Sequence, residues 1–186
     1  PGALVILLDI DASKEFDKAY VSRFIAVMYA SIGNEEDNAI KYLKLAVEPD
    51  ILNEVEHGDA IKLLADLQMQ TKAYEEALVN YKAWMDFTGK SDGDTWTKIA
   101  NAHYALKQLD KMIVPADNAI AAYGDKQNKN PYILKVTSYY ETKKFKEEEK
   151  EFLANIKQTE KRLEGGRRLR DEAVKEAEVI RTISVQ

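Results

Sequence analysis

Apolar and small residues recur along this chain at the three- to four-residue spacing of helices, and similar blocks of them return after a longer step of 35 residues. The pairs that show this step are Ala65 and Ala100, Ala77 and Met112, and Tyr81 and Ala116. A period of this size is typical of stacked helical hairpins, in which small residues let two helices approach and large residues fill the gaps. The pattern predicts an all-α fold, a right-handed superhelical array of about four antiparallel helical hairpins (an α-solenoid) followed by a C-terminal helix.

Turn-forming residues and changes in the period set the expected boundaries. The predicted segments are an N-terminal cap helix at 1–18, hairpins at 19–50, 52–89, 93–124 and 130–156, and a C-terminal helix or tail at 157–186. The first hairpin fits the period less closely, because 39 residues separate Ala26 from Ala65. Phe145 and Phe152 are expected to continue the fourth hairpin.

Three positions carry expectations about local geometry. Pro115 lies inside the predicted second helix of the third hairpin, where a proline removes a backbone hydrogen bond and costs roughly 3 kcal/mol, so a kink is expected there. Asp94 is expected to cap the first helix of the same hairpin. Asn130 followed by Pro131 predicts a capped start of the fourth hairpin.

The composition fits a solvated helical protein. Of the 186 residues 45% are apolar and 32% are charged, and 8 Gly and 4 Pro are few for an all-β fold with many turns. The net charge is −5, and Lys and Arg are interleaved with Asp and Glu, so no nucleic-acid partner is expected. The longest apolar run, residues 3–8, is far shorter than the roughly 20 residues that span a bilayer, so no direct membrane insertion is expected.

The sequence offers little that points to catalysis. The absence of Cys removes disulfides, thiol catalysis and thiolate metal ligands. His57 and His103 do not have the spacing of helical zinc ligands, and His103 is expected to pack within its hairpin. The acidic run 147–149 is expected to be a solvated helix face, and no G-x-S-x-G motif or Gly-rich phosphate loop is present. We therefore predict no enzyme activity, no catalytic residue, no metal site and no cofactor.

The chain resembles the tetratricopeptide repeat family over roughly residues 19–156. The large and small positions of that repeat, which is about 34 residues long, are matched best in the third hairpin by Trp96, Ile99, Ala100, Leu109 and Met112. More narrowly, it resembles bacterial envelope proteins of this family that are associated with TonB-dependent energy transduction. The segments behind this are 18–24 with Tyr29 and Gly33, 74–78 with 81–84, 100–109, and 138–145. The resemblance implies a periplasmic accessory protein that holds a protein or peptide, its partners being envelope energy-transduction components.

In such arrays the first helix of each hairpin lines a concave groove with the residues that do not face the second helix. By offset, the groove residues would be Arg23, Phe24, Val27, Lys62, Asp66, Met69, Lys98, Asn101, Tyr104, Thr137 and Tyr140. Aromatic anchors and charges of both signs suit an extended peptide or a partner helix. For Phe24, Met69 and Tyr104 the alternative is ordinary packing between neighbouring hairpins. Asn101 matches one member of the carboxylate clamp of some tetratricopeptide adaptors, but the first hairpin does not supply the other members.

Several functions stay open at this level. The leading hypothesis is a non-catalytic scaffold that binds a protein or peptide in the groove. The alternative is a structural or assembly element that acts through self-association, so the oligomeric state is open. Because the chain opens on Pro1, it is expected to be a processed or truncated product, and a regulatory domain of a longer enzyme is a third reading. Residues 157–186 are read as a capping helix with a tail, as a basic partner-binding helix, or as an extension joined at Gly165-Gly166.

Overall fold

A computed structural model of the chain describes residues 2–124, 128–142 and 176–177. Within these ranges the regular elements are helices and no strand occurs, so the prediction of an all-α protein is confirmed. The elements are α1 (Gly2–Leu8), α2 (Glu15–Ile32), α3 (Glu36–Val47), α4 (Glu54–Gln70), α5 (Tyr74–Thr88), α6 (Gly93–Ala105), a 3-10 helix (Leu109–Met112), α7 (Ile113–Tyr123) and α8 (Asn130–Thr142).

The helices belong to two compact units, Pro1–Ser91 and Asp92–Gln186, and the division falls between the second and third predicted hairpins. In the first unit α1 packs against α2, α2 against α3, α3 against α4, and α4 against α5. In the second unit α6 packs against the 3-10 helix and α7, and α8 packs against all three of these elements. Short connections between successive packed helices are typical of helical hairpins.

Burial explains the 35-residue step. The six residues that carry it, Ala65, Ala77, Tyr81, Ala100, Met112 and Ala116, are all 0% exposed. Alanine lies where two helix backbones come close, and Tyr81 and Met112 fill the space beside them. The repeated pattern therefore marks the buried contacts within the hairpins of each unit.

Each unit has its own core. In the first, a cluster of buried residues joins α2, α3 and α4, and the rings of Tyr29 and Tyr42 stack beside it with centroids 5.8 Å apart. In the second, Ala100 and Met112 lie in a cluster with residues of α7 and α8. There the Ser138 hydroxyl, itself buried, donates to the Leu109 carbonyl over 2.7 Å and ties α8 to the 3-10 helix.

The expected kink at Pro115 is replaced by a helix start. The segment predicted as one helix is a 3-10 turn that ends at Met112, followed by α7 from Ile113, so Pro115 is the third residue of α7. The first backbone N–H groups of a helix have no intrahelical acceptor, so a proline there removes no hydrogen bond. The predicted kink is wrong because the prediction treats residues 109–123 as one α-helix, whereas a 3-10 helix and α7 divide this segment.

The predicted cap of α6 is also corrected. Asp92 is the N-cap, and its side chain accepts from the Thr95 backbone N–H over 2.6 Å. Asp94 lies in the first turn and accepts instead from the Tyr123 hydroxyl. This bond joins the N-terminal end of α6 to the C-terminal end of α7, and it is one cause of the raised pKa of Tyr123, after burial of the phenol.

The ends of the chain differ from the predicted segments. The cap helix expected at 1–18 is the shorter α1, and α2 begins at Glu15. The fourth hairpin is described as far as Thr142, so Phe145, Phe152 and the acidic run 147–149 lie outside the described residues. So does the predicted segment 157–186 with its Gly165-Gly166 junction, apart from residues 176–177, which are helical.

Candidate functional site

Three aromatic rings lie in an exposed row on α2. Phe16, Tyr20 and Phe24 are four residues apart, and they are 51%, 37% and 40% exposed. The ring centroids of Phe16 and Tyr20 are 5.9 Å apart in a stacked pair, and those of Tyr20 and Phe24 are 5.1 Å apart edge to face. We call these three residues the α2 ridge. Each ring supports the next, so the ridge has a defined shape before anything binds it.

The ridge gives α2 a second apolar face. The buried residues of the helix are Ala19, Ser22, Ile25 and Ala26. At about 100° per residue, the ridge and the exposed Val27 lie on the other side of the helix from these residues. A surface helix of a folded domain normally turns a polar face to water, and an apolar second face indicates a surface that is covered in use.

Helix α1 adds apolar surface to the same unit. Its sequence, Gly-Ala-Leu-Val-Ile-Leu-Leu, has no charge, and none of its residues is buried. Val5 and Ile6 are 66% and 68% exposed, and α1 packs against α2. The exposed apolar surface of the first unit therefore includes side chains of both α1 and α2.

Arg23, a predicted groove residue, is part of the fold. Its Nη1 donates to Glu56 Oε1 over 3.3 Å, and its guanidinium carbon lies 5.5 Å from the centroid of the Phe24 ring. Glu56 belongs to the cap of α4, because its backbone N–H donates to Asn53 Oδ1 over 2.9 Å. Arg23 therefore ties α2 to the start of α4 and supports the end of the ridge at Phe24.

Two predicted groove residues of α4 face the second helix of their hairpin. The Lys62 Nζ lies 4.1 Å from the centroid of the Trp84 ring, and Asp66 Oδ1 accepts from the Tyr81 hydroxyl over 2.5 Å. The offsets had placed both side chains away from α5, and this part of the expectation is wrong. Met69 is half-buried. A role of these residues in binding stays a prediction.

The remaining predicted groove residues lie in the second unit. The half-buried Tyr104 packs against the cluster of Ala100, Met112 and Ala116, as the packing alternative expects. Asn101 is exposed, and its Nδ2 donates to the Thr97 carbonyl over 3.0 Å. The other members are the half-buried Lys98 and Thr137 and the exposed Tyr140. Because the eleven positions are divided between the two units, one groove that includes all of them stays a prediction.

The buried ammonium group of Lys135 is paired with a carboxylate of the same unit. The Lys135 Nζ, almost fully buried in α8, lies 2.9 Å from Asp117 Oδ1 in α7. Burial by itself would lower the pKa of this ammonium, but the hydrogen bond and charge of Asp117, with a contribution from Tyr139, raise it above the ordinary value of 10.5. Lys135 is therefore charged at neutral pH, and not the neutral amine that an imine-forming enzyme needs.

The two histidines also serve the packing. His57 is buried, its Nε2 lies 3.3 Å from Asp50 Oδ1, and its ring centroid is 4.7 Å from that of Phe87. The half-buried His103 has its Nδ1 2.9 Å from Gln108 Oε1, in the turn after α6. In the part of the chain that the structure describes, no three His, Asp or Glu residues are grouped so that they could hold a metal ion.

The groove residues predicted from the sequence include Phe24 but not Phe16 or Tyr20. The signal was present, because the three residues have the i, i+4, i+8 spacing of one helix face. The boundary predicted at residue 18 assigns Phe16 to the cap helix, and the repeat offsets do not assign Tyr20 to the groove, whereas α2 contains all three residues.

No known protein family, curated protein or solved structure matches this chain. Among the helices of the described residues, none has the length and the apolar character needed to cross a membrane.

Proposed function

We propose that the chain is a non-catalytic protein-binding module and that the α2 ridge, with Val27 beside it, is a binding surface. The observation that carries the proposal is the row of three contacting rings left exposed on a helix whose other face is buried. Tyr and Phe are enriched in protein interfaces because they bury a large area with few rotatable bonds. A row of rings that is already ordered adds little entropic cost when a partner covers it.

The charges near the ridge favour a protein partner over a phosphate-rich one. Asp9, Asp11, Glu15 and Asp17 are exposed before and within the first turn of α2, and Lys14 and Lys18 are exposed among them. Carboxylates at these positions repel the anionic surface of a membrane or a nucleic acid. Peripheral membrane helices have a polar face rich in Lys and Arg, whereas exposed carboxylates outnumber exposed lysines in this stretch.

A narrower proposal joins this surface to the family that the sequence resembles. In it, the hairpins of both units form a tetratricopeptide-like solenoid whose concave side binds a peptide, as an accessory of a TonB-dependent system in the periplasm. What supports the solenoid is the burial of all six residues at the 35-residue step. The periplasmic location and the TonB association rest on the resemblance alone.

Photo-crosslinking tests the proposed surface. Benzoylphenylalanine placed at Phe24 should crosslink the chain to a defined protein in the native cell. The matched control is the same group at Val79, a 68% exposed apolar residue of α5. A third chain labelled at Asn101 tests the narrower groove proposal. Arg23 and Tyr104 are poor sites for such tests, because their side chains support the fold.

The expected result is a discrete crosslinked band from position 24 that is absent from position 79. Equal and diffuse crosslinking from both positions would show that the ridge is not a specific binding surface. A band from position 101 that contains the same partner would extend the surface to the second unit.

A second candidate function is a structural or assembly element that acts through self-association. The observation that favours it is the exposure of α1, an uncharged helix with no buried residue, next to the ridge-bearing α2.

A further inference from the structure

We propose that the partner of the α2 ridge is a second copy of this chain. Two α2 helices would pack antiparallel about a twofold axis that passes near Tyr20, and the exposed side chains of α1 would complete the interface. This inference rests on the proposed function, since it names the occupant of the same surface. It goes further by fixing the symmetry, the orientation and the central residue of the contact.

The spacing of the rings fits a helix–helix contact. Residues four apart form a ridge along a helix, and such a ridge packs into the groove beside the matching ridge of a second helix. Tyr20 is the middle member, with Phe16 and Phe24 one step to either side. An antiparallel twofold pairing places Phe16 of each copy near Phe24 of the other and leaves Tyr20 close to the axis. The ridge can therefore pair with its own copy: each ring then lies opposite another ring, and Tyr20 lies opposite Tyr20.

The absence of charge from α1 and from the ridge itself favours a second copy over an unrelated protein. Helix α1 and the three rings carry no charge, and the exposed charged residues nearest to them in the sequence are Asp9, Asp11, Lys14, Glu15, Asp17 and Lys18. An interface with a foreign partner usually takes its specificity from several placed charges and hydrogen bonds. Homodimer interfaces are more apolar and depleted of charge in their centre, as this surface is.

The available area agrees with a dimer only when α1 takes part. Aromatic side chains bury about 150–250 Å² each, so the exposed parts of the three rings offer roughly 250 Å² per copy. Two ridges would then bury about 500 Å², which lies in the range of crystal-packing contacts, mostly below about 800 Å², and not of stable interfaces. The exposed parts of Val5, Ile6 and Leu8 in α1, with Ile10 just after it, add roughly 200 Å² per copy. If all of this surface is covered, the pair buries about 900 Å² of apolar surface, or about 1,400 Å² at the two-thirds apolar share of homodimer interfaces, which is a standard size.

Sedimentation equilibrium of the whole 186-residue chain over a concentration series tests the pairing. The wild type should shift from monomer towards dimer with rising concentration. Tyr20→Glu and Tyr20→Lys should each weaken dimerisation at least tenfold, because two like charges meet near the axis. An equimolar mixture of the two variants should recover dimerisation, because opposite charges then meet. Val79→Glu, on α5, serves as the control and should leave dimerisation unchanged, and circular dichroism confirms that each variant is folded.

Several results would overturn the proposed pairing of two copies. A wild-type chain that is monomeric at every concentration overturns the inference, and so does a Tyr20→Glu chain that dimerises like the wild type. Failure of the mixture to dimerise, while the wild type does, places the axis elsewhere and also overturns it. A monomeric chain that sediments with phosphatidylcholine–phosphatidylserine vesicles would assign the ridge to lipid. A monomeric chain that crosslinks from position 24 to a different protein would overturn the inference and keep the proposed function.

Discussion

The Arg23 guanidinium donates to the Glu56 carboxylate over 3.3 Å, and this bond joins the ridge-bearing helix α2 to the first turn of α4. Both side chains are only about one-fifth exposed, at 20% and 19%, so the pair is shielded from much of the solvent. Glu56 is held in place by Asn53, whose Nδ2 donates to its Oε2 over 2.6 Å. The position of the ridge on the first unit therefore depends on the α4 cap as well as on the apolar core.

Loss of this pair should destabilise the first unit. Arg23→Ala should lower the free energy of unfolding by about 1–2 kcal/mol, because it removes a hydrogen bond between charged groups and leaves Glu56 partly buried. Chemical denaturation of Arg23→Ala, Glu56→Ala and the double variant measures this. The double variant should lose clearly less than the sum of the two single losses, since the residues act on each other. Strict additivity would show that the contact contributes nothing to stability.

Close packing of α4 on α5 at Gly58 gives a second prediction. A Cβ added there would lie 2.8 Å from Cγ2 of Thr88, so Gly58→Ala should destabilise the unit by about 1 kcal/mol, because the overlap costs more than the higher helix propensity of alanine contributes. Thr88→Ser removes that methyl group and keeps the hydroxyl that donates to the Trp84 carbonyl over 2.7 Å. The double variant should therefore be more stable than Gly58→Ala alone. The midpoints of thermal unfolding of the two single variants and the double variant test this. A double variant no more stable than Gly58→Ala would contradict the close contact between Gly58 and Thr88.

The position of Pro115 predicts whether its replacement by alanine raises or lowers the stability of the chain. If Pro115 interrupted a continuous helix, Pro115→Ala would stabilise the chain by up to about 3 kcal/mol. Because Pro115 lies in the first turn of α7 and is buried, the same change should instead lower stability by about 0.5–1.5 kcal/mol. The unfolding midpoint in urea reports the difference. An increase in stability would restore the kinked helix expected from the sequence.

The Lys135–Asp117 pair predicts how stability changes at alkaline pH. The pKa of Lys135 is raised in the folded chain, mainly through Asp117 once the opposing effect of burial is overcome. The stability that the ammonium contributes is therefore fully present below its unfolded pKa, near 10.5, and is lost as the pH rises through the higher folded value. In Lys135→Met, the free energy of unfolding should fall less steeply as the pH is raised above 10.5, because the side chain no longer loses a proton. Urea denaturation of both chains from pH 9 upward tests it, and parallel curves would show that the pair does not titrate with folding.

The periodic core of this chain could be read from the sequence because burial is a property of residue size at fixed spacing. Ala65 and Ala100 are small where two helices touch, and both are buried as the pattern predicts. Helix ends were less predictable, since they depend on which of several suitable residues takes the cap. Asp92 and Asp94 are both good caps; Asp92 accepts from the Thr95 N–H, whereas Asp94 accepts from the Tyr123 hydroxyl, a contact that the sequence does not reveal.

The surface was the hardest part to predict. Aromatic residues at helical spacing normally indicate a core, and Tyr104 follows that rule, whereas Phe24 does not. What separates them is burial: Tyr104 packs against the core cluster of its unit, whereas Phe24 is 40% exposed, and this difference arises only in the tertiary structure. Lys62 and Asp66 show the converse, because charged residues expected in a groove contact the Trp84 ring and the Tyr81 hydroxyl instead.

The most direct test of the central claim, that the α2 ridge binds a second copy of this chain, is a distance between two copies. The chain has no Cys, so Ser31→Cys places a single spin label in the exposed last turn of α2, eleven residues beyond Tyr20. At 1.5 Å per residue, antiparallel pairing about Tyr20 separates the two labels by roughly 30–40 Å in a double electron–electron resonance experiment. Tyr20→Glu in the labelled chain should abolish that distance. The absence of any intermolecular distance at high concentration, or a separation of roughly 15 Å, which parallel helices would give, would contradict the account.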